Sequence, residues 1–189
     1  MADVLVLHEG WGRPSVDHIV DRLERDGFGA HAPDLFAPRS AWLAAPIAAS
    51  LLGIGRGQAF QVADQAYEQV SPAAVIGLSL GAAMAVRRAW PVPIVAAYGH
   101  VHRRLALRAP ALGVYGTADR TLLASGRRLE RQADVRWYDG AGHSFLSTHV
   151  PRIGSLVGPH PAAEQAWSDI VEFLSRAVAT DGFASLHGN

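Results

Sequence analysis

The chain has 189 residues, of which 49% are hydrophobic, and its 17 arginine side chains balance 17 acidic side chains. This length suits a single domain, and a formal net charge of zero provides no basic field that would attract nucleic acid or anionic lipid. The chain contains no cysteine, which excludes disulfides, thiolate catalysis and cysteine-ligated metals, so a nucleophilic side chain would have to present oxygen.

The N-terminal part of the chain predicts a strand, a helix and a second strand. Val4 to Leu7 is a short apolar run, typical of a parallel strand that is covered on both faces. Ser15 can cap a helix that runs through Arg25, where apolar residues recur at helical spacing. Gly29 to Asp34 then predicts a second strand, and this order favours a right-handed crossover with parallel pairing.

The next segment, from Leu35 to Gly57, is harder to interpret because prolines and glycines interrupt its apolar residues. We predict a short helix near Trp42 to Leu52, and the whole segment either forms one wall of a pocket or is a packing excursion. Gln58 to Val70 predicts a further helix, which Ser71-Pro72 ends.

A Gly-x-Ser-x-Gly pattern, Gly77 to Gly81, follows an apolar run and precedes small, helix-favouring residues. It predicts a strand, a sharp turn at Ser79 and a helix, with glycines where a Cβ would clash between strand and helix. The helix that begins at Leu80 directs unpaired N–H groups towards Ser79, which suits a developing oxyanion. A chain with 19 glycines can contain such a pattern by chance, so the other residues have to decide.

Three more strands and two helices are predicted after this turn, followed by a tail. The strands are Ile94 to Tyr98, Ala111 to Tyr115 and Val135 to Tyr138, the helices are Leu122 to Gln132 and Ala162 to Val178, and Thr180 to Asn189 is a flexible tail. One domain would then span residues 1–179. The pair His100-x-His102 lies in a basic loop without a third ligand, so we interpret it as solvated and expect no metal.

Asp119 and His143 each follow a predicted parallel strand, on the same edge of the sheet as Ser79. The order Ser, Asp, His is the chain order of α/β-hydrolases, and ligands bind at this edge of a parallel sheet. His143 would take the Ser79 proton, and Asp119 would hold the imidazole in the required tautomer. Three residues in their expected places favour a catalytic triad over a chance motif.

Residues around this triad are candidates for the rest of an active site. The oxyanion hole would take one N–H from Leu80 and a second from the loop after the first strand, where Gly10 is best suited. Glu9 in that loop is either solvated or bonded to local N–H groups, or it acts at the nucleophile, and these alternatives stay open. The candidates for substrate binding, each of which could instead pack in the core, are Trp11, Trp42, Tyr98 and Phe145.

Four motifs along the chain are typical of one enzyme family: Glu9-x-Trp11-Gly12, Ala32-Pro33-Asp34-Leu35-Phe36, Gly77 to Gly81, and Gly116-x-x-Asp119 with Trp137-Tyr138-x-Gly140-Ala141-Gly142-His143-Ser144-Phe145. Through these motifs the chain resembles the dienelactone hydrolase family from Val4 to about Leu174. The resemblance implies a triad of Ser79, Asp119 and His143. It also implies a glutamate, Glu9, that contacts the nucleophile, an oxyanion hole from the N–H groups of Leu80 and Gly10, and no metal or cofactor.

Two positions depart from the namesake of that family. Its nucleophile is cysteine where this chain has Ser79, and a serine has to rely on His143 as its base. Its loop after the catalytic histidine carries an arginine that binds a substrate carboxylate, whereas this chain has Phe145-Leu146-Ser147. We therefore expect a neutral substrate in place of an anionic lactone.

The sequence thus predicts a compact α/β-hydrolase with six parallel strands in the order 2-1-3-4-5-6 and helices on both faces. We expect it to cleave a small carboxylic ester or lactone through an acyl-enzyme on Ser79. An acyltransferase or thioesterase with the same triad, or a non-catalytic member of the fold that binds a small ligand, are the alternatives. We expect a monomer or weak dimer, with no nucleic-acid or membrane partner. We also expect a cytoplasmic location, because Met1-Ala2-Asp3 leads straight into a strand and no apolar run approaches the roughly 18 residues of a membrane helix.

Overall fold

Six parallel strands form one sheet within residues 1–36, 56–102, 105–148 and 158–186, which the computed structural model describes. The strands are β1 Asp3–Leu7, β2 Gly29–His31, β3 Ala74–Leu78, β4 Ile94–Ala97, β5 Ala111–Gly116 and β6 Asp134–Tyr138. The helices are a short 3₁₀ helix, Arg13–Val16, and α1 Asp17–Arg25, α2 Arg56–Val70, α3 Leu80–Ala85, α4 Leu123–Leu129 and α5 Ala162–Leu186. The sheet order is β2-β1-β3-β4-β5-β6 with every neighbouring pair parallel, so the predicted fold class and strand order are confirmed.

Helices cover both faces of this sheet. Strands β3, β4 and β5 are buried along their whole length, as parallel strands are when both faces are packed. The chain crosses the sheet in opposite directions after β1 and after β3, so right-handed connections put α1 and α3 on opposite faces. On the face of α1, Arg22 donates two hydrogen bonds of 2.8 Å to Glu164 of α5. On the other face, Arg88 just after α3 pairs with Asp64 of α2.

Two predicted boundaries in the first crossover are wrong. The second strand ends at His31 and not at Asp34, because Pro33 has no N–H to contribute to a ladder. Ser15 does not cap α1, since its hydroxyl donates to the carbonyl of Gly12 (2.7 Å) and Ser15 lies inside the 3₁₀ helix.

The last helix is longer than predicted. α5 continues to Leu186, so residues 180–186, expected in a flexible tail, are helical. A single glycine at 182 weakens a helix without ending it, and no proline follows. The buried face of α5 includes Trp167, Ile170 and Leu174, at helical spacing.

Parts of two predicted segments cannot be compared with the structure. The short helix predicted near Trp42 to Leu52 lies outside the described residues, as does the C-terminal end of the predicted tail, residues 187–189. Within the described part of the chain, the model contains no helix whose length and apolar character would suffice to cross a membrane.

Candidate active site

The structure brings together the three residues that the sequence singled out at the carboxyl edge of the sheet. Ser79 directly follows β3, Asp119 follows β5, and His143 follows β6. Ser79 Oγ lies 3.0 Å from His143 Nε2, and His143 Nδ1 lies 2.7 Å from Asp119 Oδ2. Hydroxyl, imidazole and carboxylate therefore form a continuous chain of hydrogen bonds.

Ser79 occupies a strained turn between β3 and α3. Its backbone has φ 49° and ψ −104°, a conformation that side-chain-bearing residues rarely adopt. The turn is tight enough that a Cβ on Gly77 would lie 2.5 Å from the backbone of Gly81, and a Cβ on Gly81 would collide with the carbonyl of Leu7. Both glycines are thus required by close approach of backbone to backbone, and the turn leaves the Ser79 side chain partly accessible.

The surroundings of Asp119 keep it ionised and oriented towards His143. Its side chain is 5% exposed, and burial alone would raise its pKa, but hydrogen bonds from His143 and Thr121 outweigh that effect and lower the pKa of Asp119. The Thr121 hydroxyl donates to Asp119 Oδ1 (2.6 Å). Because an ionised carboxylate only accepts, His143 carries its proton on Nδ1, which leaves Nε2 free to accept the Ser79 hydroxyl.

Glu9, the second residue after β1, is fully buried and therefore not solvated, and its partners differ from those that the family resemblance implies. Among the described residues, its carboxylate accepts hydrogen bonds from Ser144, Ser147 and Tyr98, while the Ser79 hydroxyl bonds to His143. Burial raises the pKa of Glu9, and the two serine hydroxyls lower it only in part. The expected contact between Glu9 and the nucleophile is therefore replaced by contacts with the loop that follows His143.

His8 joins the main chain at Glu9 to the main chain at Leu35. Its Nδ1–H donates to the Glu9 carbonyl (2.7 Å), and its Nε2 accepts the N–H of Leu35 (2.9 Å). Burial lowers the pKa of His8, which agrees with the neutral ring that these two bonds require. His8 thus orients the loop, and its own nitrogens are both occupied.

Tyr98 and Phe145 were predicted to bind substrate or to pack in the core, and the structure shows both side chains completely buried. The Tyr98 ring packs against His143 (centroids 5.3 Å apart) and against Phe145 (5.7 Å). This agrees with the core alternative. Trp11 is partly exposed in the turn after β1, and Trp42 lies outside the described residues.

The two backbone groups predicted for an oxyanion hole lie on adjoining segments. Leu80 is the first residue of α3, where N–H groups have no acceptor within the helix. Gly10 belongs to the turn after β1. A hydrogen bond from the Gly81 N–H to the His8 carbonyl (3.2 Å) connects that turn to the turn between β3 and α3, residues Gly77 to Gly81, which we call the elbow. This arrangement suits the predicted pair of donors.

Sequence reasoning missed Ser144 and Ser147, although both are buried polar residues within four positions of His143. Their hydroxyls are the donors to the two oxygens of Glu9. Two hydroxyls just after the predicted catalytic histidine were the available signal, and nothing local indicates which buried group they would meet. No group of three or more histidine, aspartate or glutamate side chains in the described ranges is arranged to hold a metal ion.

Comparison with known proteins assigns the chain to a family. The model of the dienelactone hydrolase family matches residues 1–178. No curated protein matches the chain at a significant level of sequence similarity.

Solved structures share the architecture at low sequence identity. A Klebsiella pneumoniae protein assigned as a dienelactone hydrolase gives a TM-score of 0.73 at 18% identity, over 93% of this chain and 87% of that one. A monoacylglycerol lipase from Paleococcus ferrophilus gives 0.61 at 16% identity, over 91% and 93%. A propionate-bound esterase from Thermogutta terrifontis gives 0.53 at 14% identity, over 96% and 84%. At such identities these similarities establish the fold alone.

Proposed function

The chain belongs to the dienelactone hydrolase family and is a carboxylic ester hydrolase, and from this premise we propose that it cleaves a small ester or lactone through an acyl-enzyme on Ser79. The match over residues 1–178 confirms the resemblance that the motifs indicated. The observation that carries the proposal is the hydrogen-bonded series Ser79, His143, Asp119, with links of 3.0 and 2.7 Å. A nucleophile, a base and a group that orients the base are what acyl transfer to a serine needs.

In the proposed reaction, Ser79 Oγ attacks the substrate carbonyl carbon while His143 Nε2 accepts the hydroxyl proton. The carbonyl oxygen becomes an oxyanion, which the N–H groups of Leu80 and Gly10 would stabilise. The imidazolium of His143 then gives its proton to the leaving alkoxide, and Asp119 stabilises the charged ring meanwhile. Water attacks the acyl-enzyme with His143 again as base, which releases the acid and restores Ser79.

The environment of the site favours a neutral substrate. The loop in which the namesake of the family has its carboxylate-binding arginine reads Phe145-Leu146-Ser147 here, and the Ser147 hydroxyl is buried and donates to Glu9. A substrate carboxylate would thus meet no cation at this position and would approach a buried acidic side chain. An unpaired buried anion is costly, so an uncharged ester or lactone is the better fit.

The direct test is a burst experiment with p-nitrophenyl acetate. We expect a burst of p-nitrophenol equal to the enzyme concentration, loss of turnover in Ser79→Ala, and labelling of Ser79 by a fluorophosphonate. Ser168→Ala, which removes an exposed hydroxyl of α5, is the matched control and should retain the burst. Labelling at another residue, or turnover that survives Ser79→Ala, would contradict the acyl-enzyme.

The same assay separates the other functions that the sequence left open. A transferase would favour an alcohol over water as acceptor, a thioesterase would favour a thioester of equal acyl size, and a ligand-binding protein would show no turnover. A cytoplasmic location and a monomer or weak dimer belong to the proposal as well, and cell fractionation and sedimentation would test them.

A further inference from the structure

The carboxylate of Glu9 is surrounded by hydroxyl groups in a place that the proposed mechanism does not use. Glu9 has no exposed surface, and Ser144, Ser147 and Tyr98, which donate to it, are equally inaccessible. We call these four residues the Glu9 cluster. A buried carboxylate is unfavourable unless hydrogen bonds compensate it, so three converging hydroxyls mark a group that the fold holds in place.

The geometry of the cluster is that of a clamp on the turn after His143. Ser144 and Ser147 are the first and last residues of a turn closed by the Ser147 N–H and the Ser144 carbonyl (2.9 Å). Ser144 donates to one oxygen of Glu9 and Ser147 to the other. One carboxylate therefore joins both ends of the turn to the end of β1.

The turn needs such support because its backbone is strained next to the histidine. Ser144 has φ 55°, a left-handed conformation that residues other than glycine rarely adopt. Tyr98 has φ 39°, packs the edge of its ring against His143 and places its hydroxyl 3.3 Å from Ser147 and 3.4 Å from Glu9. The cluster thus reaches His143 both through the main chain and through an aromatic contact.

We propose that Ser144, Ser147 and Tyr98 act with Glu9 as positioning residues that hold the His143 imidazole towards Ser79. The proposal rests on the proposed function, since it assigns these residues a part in that same site. Asp119 fixes one ring nitrogen only, and a ring held at one atom can still tilt away from Ser79. Holding the main chain at the residue next to His143 removes that freedom, and small displacements of a catalytic base are costly to rate.

This role differs from a direct action of Glu9 on the nucleophile, which the family resemblance implied. If Glu9 acted on Ser79 directly, the serine hydroxyls would matter little. If the clamp positions His143, removing either serine hydroxyl should lower kcat. Once the Glu9 carboxylate is absent, removing a serine hydroxyl as well should lower kcat no further.

The test measures kcat and KM with p-nitrophenyl acetate for Ser144→Ala, Ser147→Ala, Glu9→Gln and Glu9→Ala. We expect each serine variant to lower kcat by about tenfold and Glu9→Ala by about a hundredfold, with KM changed less than about twofold. Glu9→Gln, which keeps an oxygen that can accept one of these bonds, should fall between wild type and Glu9→Ala. Ser125→Ala, which removes a buried hydroxyl in α4, is the matched control and should keep kcat within about twofold.

The double variant Glu9→Ala with Ser144→Ala decides between the two roles. A kcat of the double variant no lower than that of Glu9→Ala supports the clamp, whereas losses in kcat that multiply contradict it. Serine variants whose kcat matches that of Ser125→Ala, or that change KM alone, also contradict the clamp. If Glu9→Ala does not fold, the cycle is carried out with Glu9→Gln. If the wild-type enzyme shows no burst, or is labelled at a residue other than Ser79, the proposed function itself is refuted. That result is obtained before any variant is compared.

Discussion

Asp119 and Glu9 are both buried carboxyl groups, yet their pKa values are shifted in opposite directions. Asp119 receives hydrogen bonds from His143 and Thr121 that outweigh its burial and lower its pKa. Glu9 is more deeply buried, and the hydroxyls of Ser144 and Ser147 do not outweigh that burial, so its pKa is raised. Environment alone thus prepares one carboxylate to stabilise an imidazolium and leaves the other costly to ionise.

The cost of ionising Glu9 leads to a prediction about stability. The unfolded chain releases this proton near the ordinary value of 4.5, while the folded protein retains it to higher pH, so the free energy of unfolding falls as pH rises above that value. Glu9→Gln should remove this part of the pH dependence. Urea denaturation at pH 4.5 and 7.5 should show the variant gaining stability relative to wild type at the higher pH.

The control for that experiment is Glu68→Gln, which removes an exposed carboxylate from α2. It should follow the wild-type pH dependence. A parallel pH dependence of wild type and Glu9→Gln would contradict the raised pKa of Glu9.

Ser79 and His143 should behave as a unit in kinetics. In the proposed reaction neither residue can act without the other, because the Ser79 hydroxyl needs a base and the base His143 acts by accepting the Ser79 proton. We expect Ser79→Ala and His143→Ala each to lower kcat by about a thousandfold or more, and the double variant to be little worse than either. Losses that multiply in kcat/KM measurements would show that the two residues do not share one step.

The element that matters most for the site is the elbow between β3 and α3. Its glycines are needed because backbone atoms of α3 and β1 occupy the space of a side chain, and backbone cannot move aside as a flexible side chain can. The elbow also places Leu80 at the start of α3, where a free N–H faces the region of Ser79.

Alanine substitutions in two glycines should therefore have opposite effects. Gly81→Ala would press a methyl group against the Leu7 carbonyl and should lower the free energy of unfolding by more than about 2 kcal/mol, with loss of activity. At Gly57 in α2, an added Cβ would meet no atom of another described segment within 4 Å, so Gly57→Ala should raise the free energy of unfolding by about 0.5 to 1 kcal/mol. Denaturant unfolding measures both, and a neutral Gly81→Ala would show that the elbow can relax.

For the molecule as a whole, the balance of charge leads to a prediction about substrates. The chain is formally neutral, and the described part of the site has its acidic groups close to the histidine. We expect a neutral ester to exceed its carboxylate-bearing analogue of equal size by about tenfold or more in kcat/KM, because the anion would be buried without a cation.

Two arginines could reverse that preference. Arg39 lies outside the described residues, and Arg56 is the first residue of α2. A tenfold preference for the anionic ester that disappears in Arg39→Ala or Arg56→Ala would overturn the prediction and identify the cation. Arg25→Ala, in α1, is the matched control.

The architecture and the proximity of Ser79, Asp119 and His143 were both predictable from the sequence. Continuous apolar runs predicted the strands themselves, and right-handed connections predicted their parallel pairing, whereas the strand order came with the resemblance to a known fold. The elbow pattern and the residues just beyond two later strands are local signals, and parallel strands bring their carboxyl ends to one edge. Local periodicity therefore sufficed to place Ser79, Asp119 and His143 together.

The side chains that surround these three residues could not be predicted, because they come from distant parts of the chain. Glu9 meets Ser144 and Ser147 across 135 and 138 residues of chain, and no spacing rule predicts which buried hydroxyls will reach which carboxylate. In the sequence, Tyr98 and Phe145 could each be a pocket residue or a core residue. Their burial depends on how Tyr98 packs against Phe145 and His143. Such contacts depend on packing between distant segments, and a linear pattern carries no record of it.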